Sequence, residues 1–399
     1  MRFRLDPSAT QEVRQLGQCG HARYVWNLGL EQRLMWRRER GATPGYNAQS
    51  AQLTEARAAE PWLAAGSQTV QQQALRDLDR AWQSFFAGTH RRPTWRKQGV
   101  HEGFRVVGPQ ALRVRRDNRR WSRVLVPKVG LVPLRRSRRL ADWKSYRITR
   151  DAGGRWHIAF AVIPAPVPAP GTGEVVGVDR GVTVAVALST GEMTSPARLR
   201  PTAAVRLVRL QRRLARAQRG SNRREKVKTA IARWKTRDAD RRKDWVEKTS
   251  TDLARRFDVI RVEDLNVKGM TRSARRTIDQ PGRNVRAKAR LNRGIAAAGW
   301  TMLATRLEQK APGRVEKINP AFTSQTCNRC MHVAAESRES QTRFRCVKCG
   351  HRDNADVNAA RNIARGGTAG GRPVAARRDT VAPGRSVKRE PQLAAAFGL

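Results

Sequence analysis

Val175-Val176-Gly177-Val178-Asp179-Arg180-Gly181-Val182 is the stretch on which the reading of this chain turns. An apolar run that closes on an aspartate and then a glycine turn reads as a buried strand delivering a carboxylate at its C-terminal end. Working outward, a second strand is expected over 183–188, with a turn over 189–192. Val259-Ile260-Arg261-Val262 reads as another buried strand, closed by Glu263-Asp264. A third acidic set, Asp353 and Asp356, opens a helix in which Asp356, Ala359, Ala360 and Ile363 share a face, so that Asp356 looks inward against a sheet. Taken singly, each acid has an ordinary role: Asp179 in a turn, Glu263 paired with an arginine, Asp356 in a first helical turn, Asp353 as a helix cap. Together, three carboxylates brought from two strands and a helix are costly as bare anions and become favourable when they hold hard divalent cations such as Mg2+. Two such ions would activate a water and stabilise the leaving oxygen in phosphodiester cleavage.

The surroundings of these acids are strongly basic. Across 399 residues, Lys and Arg number 81 against 33 Asp and Glu, a net charge of +48. Self-repulsion of that size opposes compaction unless a polyanion supplies counter-charge, which argues against an ordinary enzyme of small metabolites and for a nucleic-acid partner. A genome that favours arginine codons accounts for Arg over Lys, not for base over acid. The hydrophobic fraction of 39% still permits globular cores. No apolar run approaches the roughly 18 residues needed to span a bilayer, and Met1-Arg2-Phe3-Arg4-Leu5-Asp6-Pro7 lacks the apolar stretch of a signal peptide, so no membrane partner is expected.

The N-terminal part reads as helical. Val13, Leu16 and Gly20, then Tyr24, Leu28 and Gln32 in a following helix, recur at helical spacing. Val70, Ala74, Leu78, Trp82 and Phe85 form an apolar stripe ending at Gly88, and Cys19 reads as a small core residue. Between 91 and 170, arginine pairs alternate with short β-like runs such as Val124-Leu125-Val126. Asp151-Ala152-Gly153-Gly154 is a hairpin signal between two strands, and a small β-barrel with a charged exterior fits the segment. The proline-rich stretch 164–173 reads as a linker at a domain boundary. A long basic helical stretch over 202–256, broken at Gly220-Ser221, and a helix over 291–309 follow. Past Arg365 the periodicity is lost, and 366–399 reads as a disordered basic tail.

Cys327-Asn328-Arg329-Cys330 and Cys346-Val347-Lys348-Cys349 are two CxxC pairs with 15 residues between them. Two residues between thiolates let each pair span one edge of a tetrahedral metal, and four sulfurs select structural Zn2+ over Mg2+ or Ca2+. Two redox CxxC motifs are the alternative, but neither opens a helix after a strand. His332 and His351 flank the pairs and fall outside the ligand set.

Four strings in this order carry a resemblance: Gly177-Val178-Asp179-Arg180-Gly181-Val182; Val262-Glu263-Asp264-Leu265-Asn266; Thr323-Ser324-Gln325-Thr326-Cys327; and Asp356-Val357-Asn358-Ala359-Ala360-Arg361-Asn362-Ile363. They resemble the TnpB family, the transposon-encoded OrfB-type proteins related to the type V CRISPR effectors. Asn284-Val285-Arg286, Leu291-Asn292-Arg293, Ala298-Gly299-Trp300 and Leu75-Arg76-Asp77-Leu78-Asp79-Arg80-Ala81-Trp82 extend the likeness over residues 1 to about 365. The resemblance implies a multi-domain α/β fold: a RuvC-like (ribonuclease-H-type) nuclease interrupted by a zinc ribbon, preceded by a small wedge β-barrel carrying a helical recognition insert. The implied division is 1–9 and 91–168 for the wedge, 10–90 for the insert, 174–322 and 351–365 for the nuclease, 323–350 for the ribbon and 366–399 for the tail. The acids it carries over as catalytic and Mg2+-binding are Asp179, Glu263 rather than Asp264, and Asp356, with Cys327, Cys330, Cys346 and Cys349 on zinc. It implies a guide RNA from the transposon end and a double-stranded DNA target cut beside a short motif, base pairing reading the target. It also implies a cytoplasmic, nucleoid-associated protein of a prokaryotic host, with the oligomeric state left open.

A nuclease-inactive RNA-guided repressor is the alternative of another class, and a strand-joining transposase a third; the latter needs a strand-transfer nucleophile or acids in the order D…D…E, where this chain reads D…E…D. One position departs from the family pattern. Glycine is usual after each CxxC; Gly350 matches, but Met331 holds the first such place, where a side chain is expected to strain or reshape the knuckle.

Overall fold

The structure, a computed structural model, describes residues 1–35, 39, 41, 43–197, 201–275 and 280–367. The tail expected over 366–399 lies, beyond Gly367, outside the described residues. Chain contacts divide the molecule into two units: 1–166 with 196–245, and 167–195 with the residues from 246 onward.

The first unit opens with β1 (Arg2–Leu5) and the helices α1 (Ala9–Leu34), α2 (Tyr46–Ala59), α3 (Pro61–Ala65) and α4 (Gln68–Phe86). Ser8 caps α1 in a reciprocal box with Gln11, which satisfies two of the amides a helix start leaves unpaired. The two helices expected over this segment are one helix, and its buried face is an apolar stripe with glutamines among it, offset from the expected one. Val13 is 69% exposed and Tyr24 44%, whereas Gln15, Gln18, Cys19, Ala22, Val25, Trp26, Gly29 and Leu30 are buried. The reason is that this interface is partly polar. Gln18 Oε1 accepts the Ser67 amide at 3.0 Å, Gln49 Nε2 donates to the Gly29 carbonyl at 2.8 Å, and Gly29 admits Leu75 and Leu78 where a side chain would stand. Hydropathy cannot register such contacts. The α4 stripe, by contrast, is as read: Val70, Ala74, Leu78 and Trp82 are buried.

Six further strands follow: β2 (Gly103–Val107), β3 (Val114–Arg116), β4 (Trp121–Val126), β5 (Gly130–Arg135), β6 (Ser145–Arg150) and β7 (Trp156–Phe160). They join β1 in one antiparallel sheet of order β2-β6-β7-β1-β5-β4-β3. The expected barrel is a curled sheet with β2 and β3 as its edges. Its curl brings Tyr146 Oη on β6 to the Leu125 carbonyl on β4, at 3.0 Å. Phe104, Val106, Val124, Val126, Val132, Leu134, Ile148 and Ile158 alternate inward and form its core. The β6–β7 turn is built by Asp151, whose Oδ1 accepts the amides of Gly153 and Arg155, both at 2.9 Å, with Gly154 at φ 84°. The basic stretch forms α5 (Pro201–Arg216) and α6 (Asn222–Arg256), broken where expected; Arg224 reaches back to the carbonyls of Leu214 and Ala217 at the end of α5.

The second unit holds β8 (Val175–Asp179), β9 (Val186–Leu188), β10 (Met193–Thr194), β11 (Val259–Glu263) and β12 (Val315–Ile318), in the order β10-β9-β8-β11-β12. β8, β11 and β12 are parallel, and β9 and β10 antiparallel. The second strand is shorter than the expected 183–188 because Gly181 to Val184 form a tight turn. Past α7 (Val267–Met270), the single helix expected over 291–309 is two, α8 (Val285–Ala298) and α9 (Trp300–Lys310). They are broken by Gly299 at φ 73°, which lets Trp300 Nε1 reach the Gly181 carbonyl at 3.0 Å. The cysteine segment contributes β13 (Arg343–Arg345), paired with β14 (Arg352–Asn354), before α10 (Ala355–Ala364). Among the described residues no helix is long and apolar enough to cross a membrane.

Candidate active site and metal centre

Parallel pairing sets Val262 opposite Val178, so the next residue of each strand, Glu263 and Asp179, leaves the sheet at the same edge. α10 lies directly over β8 because Gly177 has no side chain: a Cβ there would run into the Ala360 carbonyl oxygen and the Ala364 amide nitrogen. Its first turn is held by Asn354, whose Oδ1 accepts the amides of Asp356 at 2.9 Å and Val357 at 3.3 Å. Asn354, not Asp353, is thus the cap. Asp353 Oδ2 instead takes Arg361 Nη1 at 2.6 Å and Asn328 Nδ2 at 3.1 Å, with His351 Nε2 at 3.7 Å.

The three acids feel one another. Burial, then repulsion from Glu263 and Asp356, pushes the Asp179 carboxyl up to about 7. Burial also raises Glu263, against the pull of Thr323 and Arg180, and raises Asp356 against the charge of Arg338. A carboxyl raised by burial and by two neighbouring carboxylates marks Asp179 as the centre of a site short of positive charge. Three residues that sequence reasoning had given no part here support them. Thr323 Oγ1 donates to Glu263 Oε1 at 2.7 Å, Arg180 donates to the Glu263 carbonyl, and Arg338 Nη2 lies 3.4 Å from Asp356 Oδ1. Arg338 comes from the loop between the two CxxC pairs, a position with no signal in the sequence; Thr323 stood in a quoted string without a role. The carboxylate oxygens do not close as tightly as the sulfurs: among the described residues only the cysteines form a group of three or more ligand atoms all within 4.8 Å of one another.

Those sulfurs belong to Cys327, Cys330, Cys346 and Cys349. The close contacts join the two motifs, Cys327 to Cys349 at 3.7 Å and Cys330 to Cys346 at 3.5 Å. A tetrahedron with metal–sulfur bonds of about 2.3 Å has edges of about 3.8 Å, so the quartet fits zinc and does not suit two separate redox pairs. The knuckles are built alike: Met331 N donates to Cys327 O and Gly350 N to Cys346 O, while Cys327 N bonds His332 O and Cys346 N bonds His351 O, each at 2.9 Å. Met331 stands at φ 59° and Gly350 at φ 69°. Methionine therefore takes the glycine conformation, and the first knuckle keeps its shape. Although burial opposes ionisation, the amides of Cys349 and Lys348 and the neighbouring thiols pull Cys346 down to about 6.

The chain is 35% identical, over 98% of its own length and 96% of the relative's, to "Putative RNA-guided DNA endonuclease InsQ" of Escherichia coli K12. It belongs to the TnpB family. Family models match in three places: "Probable transposase" over 157–274, "Cas12f1-like, TNB domain" over 300–363 and "Helix-turn-helix domain" over 1–42. In this TnpB the last region holds β1 and the uninterrupted α1 among its described residues. A second relative, from Streptomyces pristinaespiralis and named "Putative RNA-guided DNA endonuclease", is 32% identical over 99% of this chain and 96% of its own. Among solved structures, the fold is shared with a cryo-EM structure of a Cas12f1–sgRNA–target DNA complex, at TM-score 0.53 and 14% identity, covering 89% of this chain and 82% of that one.

Proposed function

We propose that this TnpB is an RNA-guided endonuclease that cuts double-stranded DNA at Asp179, Glu263 and Asp356. The observation that carries the reading is the delivery of Asp179 and Glu263 to the same end of two paired strands, with Asp356 close enough on α10 that burial and repulsion from both raise the half-buried Asp179 to about 7. The order β10-β9-β8-β11-β12, three parallel strands beside two antiparallel ones, supports a ribonuclease-H-type nuclease. Hard oxygen donors suit Mg2+, and two such ions, when bound, would supply water activation and stabilisation of the leaving oxygen. The protein's own part is to hold the ligands. Thr323 fixes one face of Glu263, Arg180 fixes the end of its strand, Asn354 fixes the first turn of α10, and Arg338 balances Asp356. Cys327, Cys330, Cys346 and Cys349 would hold one structural zinc. The charge of +48 supports phosphate-backbone binding of a guide RNA and its DNA target. On this reading 1–9 and 91–168 are the wedge, 10–90 the recognition insert, 174–322 and 351–365 the nuclease and 323–350 the ribbon. The guide comes from the transposon end, and cutting beside a short adjacent motif supports maintenance of the element.

The test is cleavage of guide-matched DNA with Mg2+. Asp179→Ala, Glu263→Ala and Asp356→Ala are each expected to abolish cutting while RNA and target binding persist, since binding rests on many scattered phosphate contacts. Asp264→Ala, beside Glu263 but outside the trio, is the control and is expected to cut. A wild-type protein that binds guide and target without cutting would support the repressor instead; strand-joined products from transposon ends would support the transposase.

A further inference from the structure

Between the cysteine quartet and the acids lies a set of buried amides to which the chemistry above assigns no part. Asn358 and Asn362 stand one turn apart on α10, both with no exposed surface. Asn358 Oδ1 accepts the backbone amide of Asn328 at 2.9 Å and its side-chain amide at 2.8 Å, while Asn358 Nδ2 donates to the Thr326 carbonyl at 2.8 Å. Asn362 Nδ2 donates to the carbonyls of Thr323 at 2.9 Å and Thr326 at 2.7 Å. Arg365 adds a bond to the Asn328 carbonyl. Asn328 sits inside the first CxxC, and Thr326 immediately precedes Cys327. Thr323 is the residue whose hydroxyl holds Glu263. Asn358 uses both its donor and its acceptor here, whereas Asn362 uses its donor alone, its Oδ1 being buried without a hydrogen-bond partner. Any apolar residue would leave buried amides and carbonyls unpaired, at about 1–3 kcal/mol each.

We propose that Asn358 and Asn362 are positioning residues that couple the cysteine centre to the acid site. When Cys327 and Cys330 are fixed by a metal, the backbone of 323–331 is ordered. Through the two asparagines that order sets α10, hence Asp356, and through Thr323 it sets Glu263. Loss of the metal loosens the knuckle and releases both carboxylates together. The device is reciprocal, as any coupling between two binding sites must be: whatever orders the acids tightens the grip on the metal in the knuckle. This inference rests on the proposed assignment of the acids to Mg2+ and the cysteines to zinc.

The experiment measures zinc release from the full-length protein, loaded with RNA, into a chromogenic chelator, with and without saturating Mg2+. Mg2+ is expected to slow zinc loss about five-fold or more in the wild type and to have no effect in Asn358→Ala or Asn362→Ala. The same variants are expected to bind RNA normally and to require several-fold more Mg2+ for half-maximal cleavage, so the defect falls on metal dependence rather than on assembly. Asn358→Asp, which keeps the acceptor for Asn328 and loses the donor to Thr326, should fall between. Should the alanine variants fail to fold, the wild-type arm decides by itself. Zinc loss that ignores Mg2+ in a wild-type protein that cuts guide-matched DNA overturns the coupling, as does an unchanged Mg2+ requirement in both alanine variants. A wild-type protein whose zinc loss responds to Mg2+ but which does not cut would keep the coupling and overturn the nuclease reading.

Discussion

Gly177→Ala is the smallest change that tests how the site is built. The added methyl carbon would meet the Ala360 carbonyl oxygen and the Ala364 amide nitrogen of α10 far inside ordinary contact. Comfortable separation for such atoms is about 3.5 Å, so the helix must retreat from β8 by more than about 1 Å. Both atoms met are backbone, so no smaller residue on α10 relieves the clash. Overpacking of this kind costs about 1–3 kcal/mol, which should appear as a lowered Tm. The larger effect is on the reaction. Asp356 rides on the first turn of the displaced helix, and misplacement of a reacting group by about 1 Å costs on the order of 100-fold in rate. Single-turnover cleavage of guide-matched DNA, with RNA binding measured alongside, reads both effects. A loss of cutting without loss of RNA binding is expected, unrelieved by Ala360→Gly. Wild-type Tm and cleavage rate in Gly177→Ala would refute the argument that this glycine sets the distance between β8 and Asp356.

Two further outcomes follow from the same geometry. Without divalent metal, the folded protein keeps a proton on Asp179 up to about 7 that the unfolded chain releases near 4, so this carboxyl costs stability progressively between those values and in full above 7. Asp179→Asn should therefore raise Tm at pH 8 in Mg2+-free buffer and leave it unchanged near pH 4, with Mg2+ closing the gap in the wild type; equal Tm at pH 8 would refute the raised Asp179 carboxyl. Met331→Gly removes a side chain from a left-handed position that costs roughly 1–2 kcal/mol, partly offset by the greater freedom of glycine in the unfolded chain. A net stabilisation of about 1 kcal/mol is expected in thermal unfolding, and a lowered Tm would show that the Met331 side chain contributes more than its backbone costs.

The acids, the thiols and most of the strands were legible along the chain because each is a local pattern. An apolar run ending in aspartate, a helix-phase argument for Asp356 and the CxxC spacing need no knowledge of what lies opposite. The break at Gly220-Ser221 and the hairpin at Asp151 were legible for the same reason. Some departures were local, such as the break at Gly299, but for α1, Asp353 and the supports of the acids contacts between elements decided the matter. The buried face of α1 includes Gln18, which takes the Ser67 amide, and meets Gln49 of α2 at the Gly29 carbonyl, and hydropathy scores those glutamines as surface. Asp353 has the chemistry of a helix cap, yet Arg361 and Asn328 claim its carboxylate and Asn354 takes the cap. Arg338, Thr323 and Arg180 reach the acids only because the cysteine segment, the paired strands β8 and β11 and the helix α10 are packed together. Sequence by itself determined which carboxylates close strands and which thiols fall in CxxC pairs, since residue type and spacing along one chain segment are properties of covalent structure. The tertiary structure alone decided which side chains hold those groups in place, because a buried hydrogen bond is chosen by whichever donor folding brings within about 3 Å.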